Sequence, residues 1–195
     1  AAMVEELRAM DNVRLLTRTT GIGYFQQNMV VLNQRVTEHL AQPQQDLPRE
    51  RMWQVRADNV ILAQGAIERH MVFPDNDRPG ILLAGAAQTF LNKYGVVVGQ
   101  NVAVFTSCDT GYAAAFDLAE EGIDIPVIIE HRTDIDDELR QQADELGIRI
   151  VTGAAITATK GRLRVNQISW AKHDGSEAES LEVDALITSA GWTPS

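Results

Sequence analysis

The chain has 195 residues, 45% hydrophobic and 23% charged, with a formal net charge of −10. An acidic surface without a basic stripe argues against nucleic acid as a partner, and no apolar run is long enough to span a membrane. A single cysteine, Cys108, excludes an internal disulfide and makes a reducing cytoplasm the simplest location. His39, His70, His131 and His173 are scattered without metal-ligand spacing, and no P-loop, nucleophile elbow or zincin motif occurs. Neither a metal site nor a catalytic residue is expected in this chain.

In chain order, "EELRAMDNVRLLTRTTGIG" reads as the end of a helix followed by a parallel strand, Val13 to Leu16. "GIGYFQQNMVVLNQRV" then reads as a hairpin, and the polar stretch Gln42 to Arg51 as the long tip of another. "VRADNVILAQGA", Val55 to Ala66, follows, and it has a counterpart far downstream in "LEVDALITSAGW", Leu181 to Trp192. In both, an aspartate (Asp58, Asp184) precedes a short apolar strand, and a glycine (Gly65, Gly191) lies seven positions after it. The pattern is a buried strand entered through an aspartate turn. It leaves through a turn that passes close to a ligand or another backbone. Lys160-Gly161 and Asp174-Gly175 mark hairpins before Asp184.

Between the repeats, Leu83, Ala87, Phe90, Leu91 and Tyr94 have helical spacing. A strand at Val102 to Thr106 leads to a helix from about Gly111 to Glu121, then a strand at Val127 to Glu130. A helix carrying Ile135, Leu139, Ala143 and Leu146 and a strand at Ile148 to Val151 complete a doubly wound mononucleotide unit. The acidic cluster Asp134, Asp136, Asp137 and Glu138 suits the start of that second helix, where it opposes the helix dipole.

The repeats suggest one domain that the chain leaves and re-enters. Residues 1–66 would then be part of a first dinucleotide-binding domain, 67–183 an inserted domain, and 184–195 a return to the first. That division stands or falls on the strands around Ile61 and Ile187 sharing a sheet. It also needs an earlier strand and glycine turn, so the chain is expected to be part of a longer protein.

"VAVFTSCDTGYAAAF" carries the candidate ligand chemistry. A dinucleotide fingerprint uses one glycine for the turn, a second for approach to the pyrophosphate and a third for helix–strand packing. Thr106 and Cys108 stand at the first two positions, and only Gly111 remains. Thr106 fits if its φ stays negative. The hydroxyls of Ser107 and Thr110 are candidate phosphate donors, together with the free N–H groups of the helix start. Asp109 is read as the helix N-cap. Glu130, 19 residues after Gly111, ends the second strand where an acid accepts from ribose hydroxyls, which favours NAD over NADP; Arg132 is the opposing signal.

Ile61 to Leu118 resembles the α subunit of heterotetrameric sarcosine oxidase, through Gly65 to Arg69 (Gly-Ala-x-Glu-Arg), Asn76 to Gly80 (Asn-Asp-Arg-Pro-Gly) and the incomplete glycine turn. The resemblance implies a Rossmann-like three-layer FAD/NAD(P)-binding α/β fold, with a mononucleotide-binding domain inserted between two segments of a second, incomplete domain. It implies oxidative demethylation of sarcosine at flavins held elsewhere, FAD and FMN, in a complex with β, γ and δ subunits. Folate would bind through a further C-terminal domain, and this portion would carry a structural NAD near Thr106 to Gly111, Glu130, Arg132, Gly65 and Gly191. Two other readings stay open. One is a flavin-dependent NAD(P)H dehydrogenase module, and the other a degenerate nucleotide fold that docks subunits.

Overall fold

The computed structural model describes residues 2–195, which divide into two units, residues 2–63 and 64–195. The first begins with α1 (Ala2–Arg8) and continues into an antiparallel sheet of β1 (Thr19–Phe25), β2 (Met29–Arg35) and β3 (Glu50–Arg56). The β1–β2 turn is tight because Gln27 and Asn28 take φ of 59° and 52°. The Tyr24 hydroxyl steadies it by donating to Asn28 Oδ1 over 2.7 Å. Trp53 is held by donation from its Nε1 to Gln34 Oε1 and by the Arg14 guanidinium 4.5 Å above its ring. Val13 to Leu16, expected as a strand, is irregular, as is the apolar run from Asn59 to Ala63. Backbone forms a strand only where a neighbour accepts and donates along it, and neither run is paired.

The second unit contains β4 (Ala66–Glu68), β5 (Ile81–Leu83), α2 (Ala84–Tyr94), β6 (Val102–Thr106), α3 (Asp109–Glu120), β7 (Val127–Glu130), α4 (Asp137–Glu145) and β8 (Arg149–Thr152). A meander of β9 (Ala154–Lys160), β10 (Gln167–Lys172) and β11 (Glu179–Glu182) follows, then β12 (Ala185–Ser189) and β13 (Trp192–Pro194). The central sheet has the order β5-β12-β6-β7-β8, with every pairing parallel. Both its faces are covered, so its strands are nearly continuous apolar runs. One face carries Val102, Val104, Ile128 and Ile187 against Ala87 of α2, Tyr112, Ala115 and Leu118 of α3 and Ala143 of α4. The other carries Ala103, Phe105, Val127, Ile129 and Leu186 against Ile156, Ile168 and Trp170 of the meander. The result is three layers: helices, parallel sheet, antiparallel sheet.

Local chemistry explains the element ends. Gly95, at φ 63°, closes α2 and donates to the Leu91 carbonyl. Asp136 caps α4, its carboxylate accepting from Glu138 N at 3.0 Å, as the acidic cluster led one to expect. Arg78 of the Asn-Asp-Arg-Pro-Gly run ties that loop to the β9–β10 hairpin, donating to Thr159 Oγ1 and the Gly161 carbonyl.

The expected return segment, 184–195, contains β12 and β13, both paired within the second unit. β12 sits between β5 and β6 inside the second unit's own sheet, and Ile61 lies in no strand. Leu186 and Ile187 are buried on opposite faces of that sheet, and a strand apolar on both faces is stable only between two neighbours and two covering layers. β13 pairs with β4 in the same unit.

Candidate functional site

The C-terminal ends of β6, β7 and β12 converge at the start of α3, the position at which open α/β sheets bind ligands. The turn from β6 into α3 achieves its shape without the two missing glycines. Among the described residues, Thr106 and Ser107 are not among those with positive φ, and Cys108 is fully extended at φ −156°. Thr106 is buried and organises the turn. Its Oγ1 accepts from Cys108 N (3.1 Å) and lies 2.8 Å from Cys108 O and 3.1 Å from Ser189 O. Gly111 is bound to that arrangement, because a Cβ there would collide with the Thr106 side chain. The third glycine therefore keeps its packing role.

A thiol–hydroxyl lattice closes the crevice between β6 and β12. Cys108 Sγ is 3.0 Å from Thr110 Oγ1 and 3.3 Å from Ser189 Oγ, and those two hydroxyls are 3.0 Å apart. Ser107 joins through its backbone N–H, which donates to the Ser189 carbonyl. Burial pushes the Cys108 thiol up, but hydrogen bonding to Ser189, Thr110 and Thr106 outweighs it and leaves the thiol below its ordinary value. Ser189 was not among the sequence candidates; its signal is a serine at the end of the second repeat, where the first has Ala63.

Glu130 ends β7 as expected, but its carboxylate is fully buried and already engaged. Oε1 accepts from Arg132 N (2.8 Å) and Nε (3.1 Å), and Oε2 accepts from Nη2 (2.9 Å). The same Nη2 donates to Asp109 Oδ1 at 2.9 Å. Glu130, followed by Asp109, holds the guanidinium's proton more firmly than usual. Asp109 is thus the first residue of α3 and an ion-pair partner, whereas Cys108 occupies the cap position without a side-chain cap bond. A partner 23 residues away outcompetes local capping because the ion pair is charge-assisted. Tyr112 lies in the core behind this group; burial, then the Glu130 charge, pushes its hydroxyl's ionisation well up.

Gly65 and Gly191 take φ of 80° and 82°, so both repeat glycines make the left-handed turn that the pattern demanded. Gly191 stands beside β4, with Arg69 N donating to its carbonyl at 2.8 Å and Arg69 Nη2 3.7 Å from the position of a Cβ. Among the described residues, no hydrogen bond joins either glycine to the Thr106–Glu130 group. Hydroxyls and a helix N-terminus therefore meet at the turn, and the carboxylate that ends β7 is in place but covered. Among the described residues no three His, Cys, Asp or Glu side chains are grouped to hold a metal, and no helix is long and apolar enough to cross a membrane.

Comparison with known proteins bears on the same features. The chain is 40% identical over 190 residues to the sarcosine oxidase subunit alpha of Rhizobium meliloti, and 38% identical over 200 residues to that of Corynebacterium sp. strain P-1. These alignments take in 97% and 99% of the chain. The chain is a relative of the sarcosine oxidase α subunits. It spans 18–20% of the length of those relatives. No family model matches it. Among solved structures, the fold is shared with an FAD-dependent pyridine nucleotide-disulphide oxidoreductase from Desulfovibrio vulgaris (TM-score 0.59, 17% identity, 91% of this chain and 44% of that one). It is also shared with thioredoxin reductase from Lactococcus lactis (TM-score 0.58, 15% identity, 93% and 54%) and L-proline dehydrogenase from P. horikoshii (TM-score 0.56, 22% identity, 99% and 31%). The fold is the Rossmann-like α/β arrangement of FAD/NAD(P)-binding oxidoreductases.

Proposed function

We propose that this sarcosine oxidase α-like chain is the NAD-binding portion of an oxidoreductase subunit and carries no catalytic residue of its own. The observation that supports this best is the convergence of the β6–α3 turn, the Ser189–Thr110 hydroxyls and Glu130 at one end of a parallel sheet. An α3 N-terminus and two hydroxyls suit a pyrophosphate, and an acid ending the second strand suits a ribose. In this reading Thr110, Ser189, Ser107 and the first-turn N–H groups of α3 hold the phosphates, with Glu130 at the adenosine ribose. Bound NAD would fill the crevice and order the α subunit. The residues here only bind and orient, and oxidative demethylation of sarcosine takes place at flavins, FAD and FMN, elsewhere in a complex of α, β, γ and δ subunits. Folate would be accepted outside this stretch. Residues 1–66 would contribute to an FAD-type domain, in which Asn59 to Ala63 gains the parallel neighbours that a strand requires.

One observation favours a second reading, an empty nucleotide fold used for docking subunits: the thiol–hydroxyl lattice and the Arg132–Glu130 pair satisfy one another without a ligand. Denaturing the purified full-length protein and assaying the supernatant for NAD separates the two. About one NAD released per α subunit is expected. None released, together with no binding of added NAD, supports the docking reading instead.

A further inference from the structure

The geometry points to Arg132 as a gate on this nucleotide site: its guanidinium holds the Glu130 carboxylate closed, and a ribose diol binds only by displacing it. The inference rests on the nucleotide reading above and adds what sets the affinity and the choice between NAD and its 2′-phosphorylated form.

A carboxylate offers about four lone-pair directions over its two oxygens. Arg132 takes three of them, and no part of Glu130 reaches solvent. Two vicinal hydroxyls need both oxygens and an open approach, so Nε and Nη2 must leave; the bond from Arg132 N can stay. The gate has a firm inner end and a soft outer one. Inside, a buried carboxylate stripped of its partner is strongly unfavourable, so the guanidinium leaves only where other donors replace it. Outside, the Arg132 side chain is 35% exposed and its second partner, Asp109, 68% exposed, and exposed pairs hold weakly.

Tyr112 supplies an independent sign that the closed arrangement is not the only one provided for. Its hydroxyl is fully buried with no partner at full hydrogen-bond geometry, and after burial it is Glu130, by its charge and by hydrogen bonding, that most raises its ionisation. It stands on the inner side of the carboxylate, where it can donate more fully as the guanidinium withdraws. A ribose diol brings two donors to the outer side and completes the exchange. A 2′-phosphate brings negative charge toward Glu130 and cannot; it can meet only Arg132.

The test is calorimetric titration of NAD and NADP into the nucleotide-stripped full-length protein, with thermal melting to verify folding. If the gate is open about a tenth of the time, Arg132→Gln tightens NAD about tenfold, since apparent affinity scales with the competent fraction. The same variant weakens NADP, so the preference for NAD rises by more than the gain in NAD affinity. Asp109→Asn, which loosens only the outer anchor, tightens NAD about threefold on the same scaling and decides the matter if Arg132→Gln fails to fold. Glu130→Gln weakens NAD. Unchanged or weaker NAD binding by folded Arg132→Gln, or by Asp109→Asn, overturns the gate while leaving the nucleotide reading intact. NAD binding by Glu130→Gln at the wild-type level overturns the ribose assignment and the gate together. Absence of binding by the wild type and every variant overturns both the gate and the nucleotide reading.

Discussion

Asp58 to Gly65 and Asp184 to Gly191 share a pattern, and each follows a three-stranded antiparallel sheet, yet they end in different states. In the second, Ala185–Ser189 is a buried strand between two parallel neighbours. In the first, Ile61 is 91% exposed and its backbone is unpaired. What survives without neighbours is the turn: Gly65 and Gly191 agree within 2° in φ. Glycine's freedom from a Cβ is a property of one residue, whereas a strand is a property of several chain segments. The repeat therefore encodes the same turn in both places, whereas only Ala185–Ser189 has the neighbours that make a strand.

The largest predicted effect tests that contrast directly. Ile187→Ala empties a fully buried site and is expected to cost about 2–5 kcal/mol in urea unfolding of the chain. Ile61→Ala is expected to change stability by no more than about 0.5 kcal/mol, as surface substitutions do. Equal losses at the two positions would show that Asn59 to Ala63 is packed after all. The aspartates should divide in the same direction. Asp184 Oδ2 accepts from Gln100 N at 3.0 Å and Asn101 N at 3.1 Å, fastening the loop that leads into β6. Asp184→Ala should cost about 1.5–3 kcal/mol, the range for hydrogen bonds to a charged group. Asp58 contributes a backbone carbonyl, accepting from Asn28 Nδ2, and Asp58→Ala should be close to neutral.

How much of this was legible depends on range. Val102–Thr106 and Val127–Glu130 emerged with the bounds expected from sequence, because apolar runs bounded by Asn101 and Ser107, or Pro126 and His131, are local signals. The acidic start of α4 was equally local. The neighbours of β12 were not legible, since the paired residues of β5 and β6 lie far before it in sequence (Ile81 and Ala103 beside Leu186) and any parallel slot fits its pattern. Asp109 as a cap failed, and the cover over Glu130 went unseen, for a related reason. Their states are set by Arg132, whose side-chain direction depends on how β7 and α3 pack.

A middle-sized effect comes from the glycines. Gly65→Ala and Gly191→Ala should each cost about 1–2 kcal/mol, the penalty for a Cβ in the left-handed region. Near equality is the informative outcome, because it would show that the turn is encoded without the strand. Thermal melting of the two variants side by side gives the comparison. A much larger loss at Gly191 would mean that the close approach of Arg69, and not φ, is what requires glycine there.

The smallest effect makes the second repeat resemble the first at the one place where its chemistry differs. Ser189→Ala introduces the residue found at Ala63 and removes the hydroxyl that bridges Cys108 Sγ and Thr110 Oγ1. Stability should fall by about 1 kcal/mol, the usual net value of a hydrogen bond. The thiol should titrate higher, because Ser189 is the foremost of the groups that lower it against burial. Iodoacetamide alkylation of Cys108, the single cysteine, reads this as a midpoint moved to higher pH. The sign also fixes the pH window of the wild-type thiol's contribution. A folded value below the unfolded one adds stability as the pH climbs through the folded value, in full only above the unfolded one, and nothing in acid. The stability difference between Ser189→Ala and wild type should therefore widen from neutral to alkaline pH, and a gap that narrows there would place the thiol's stabilising partners somewhere other than the end of β12.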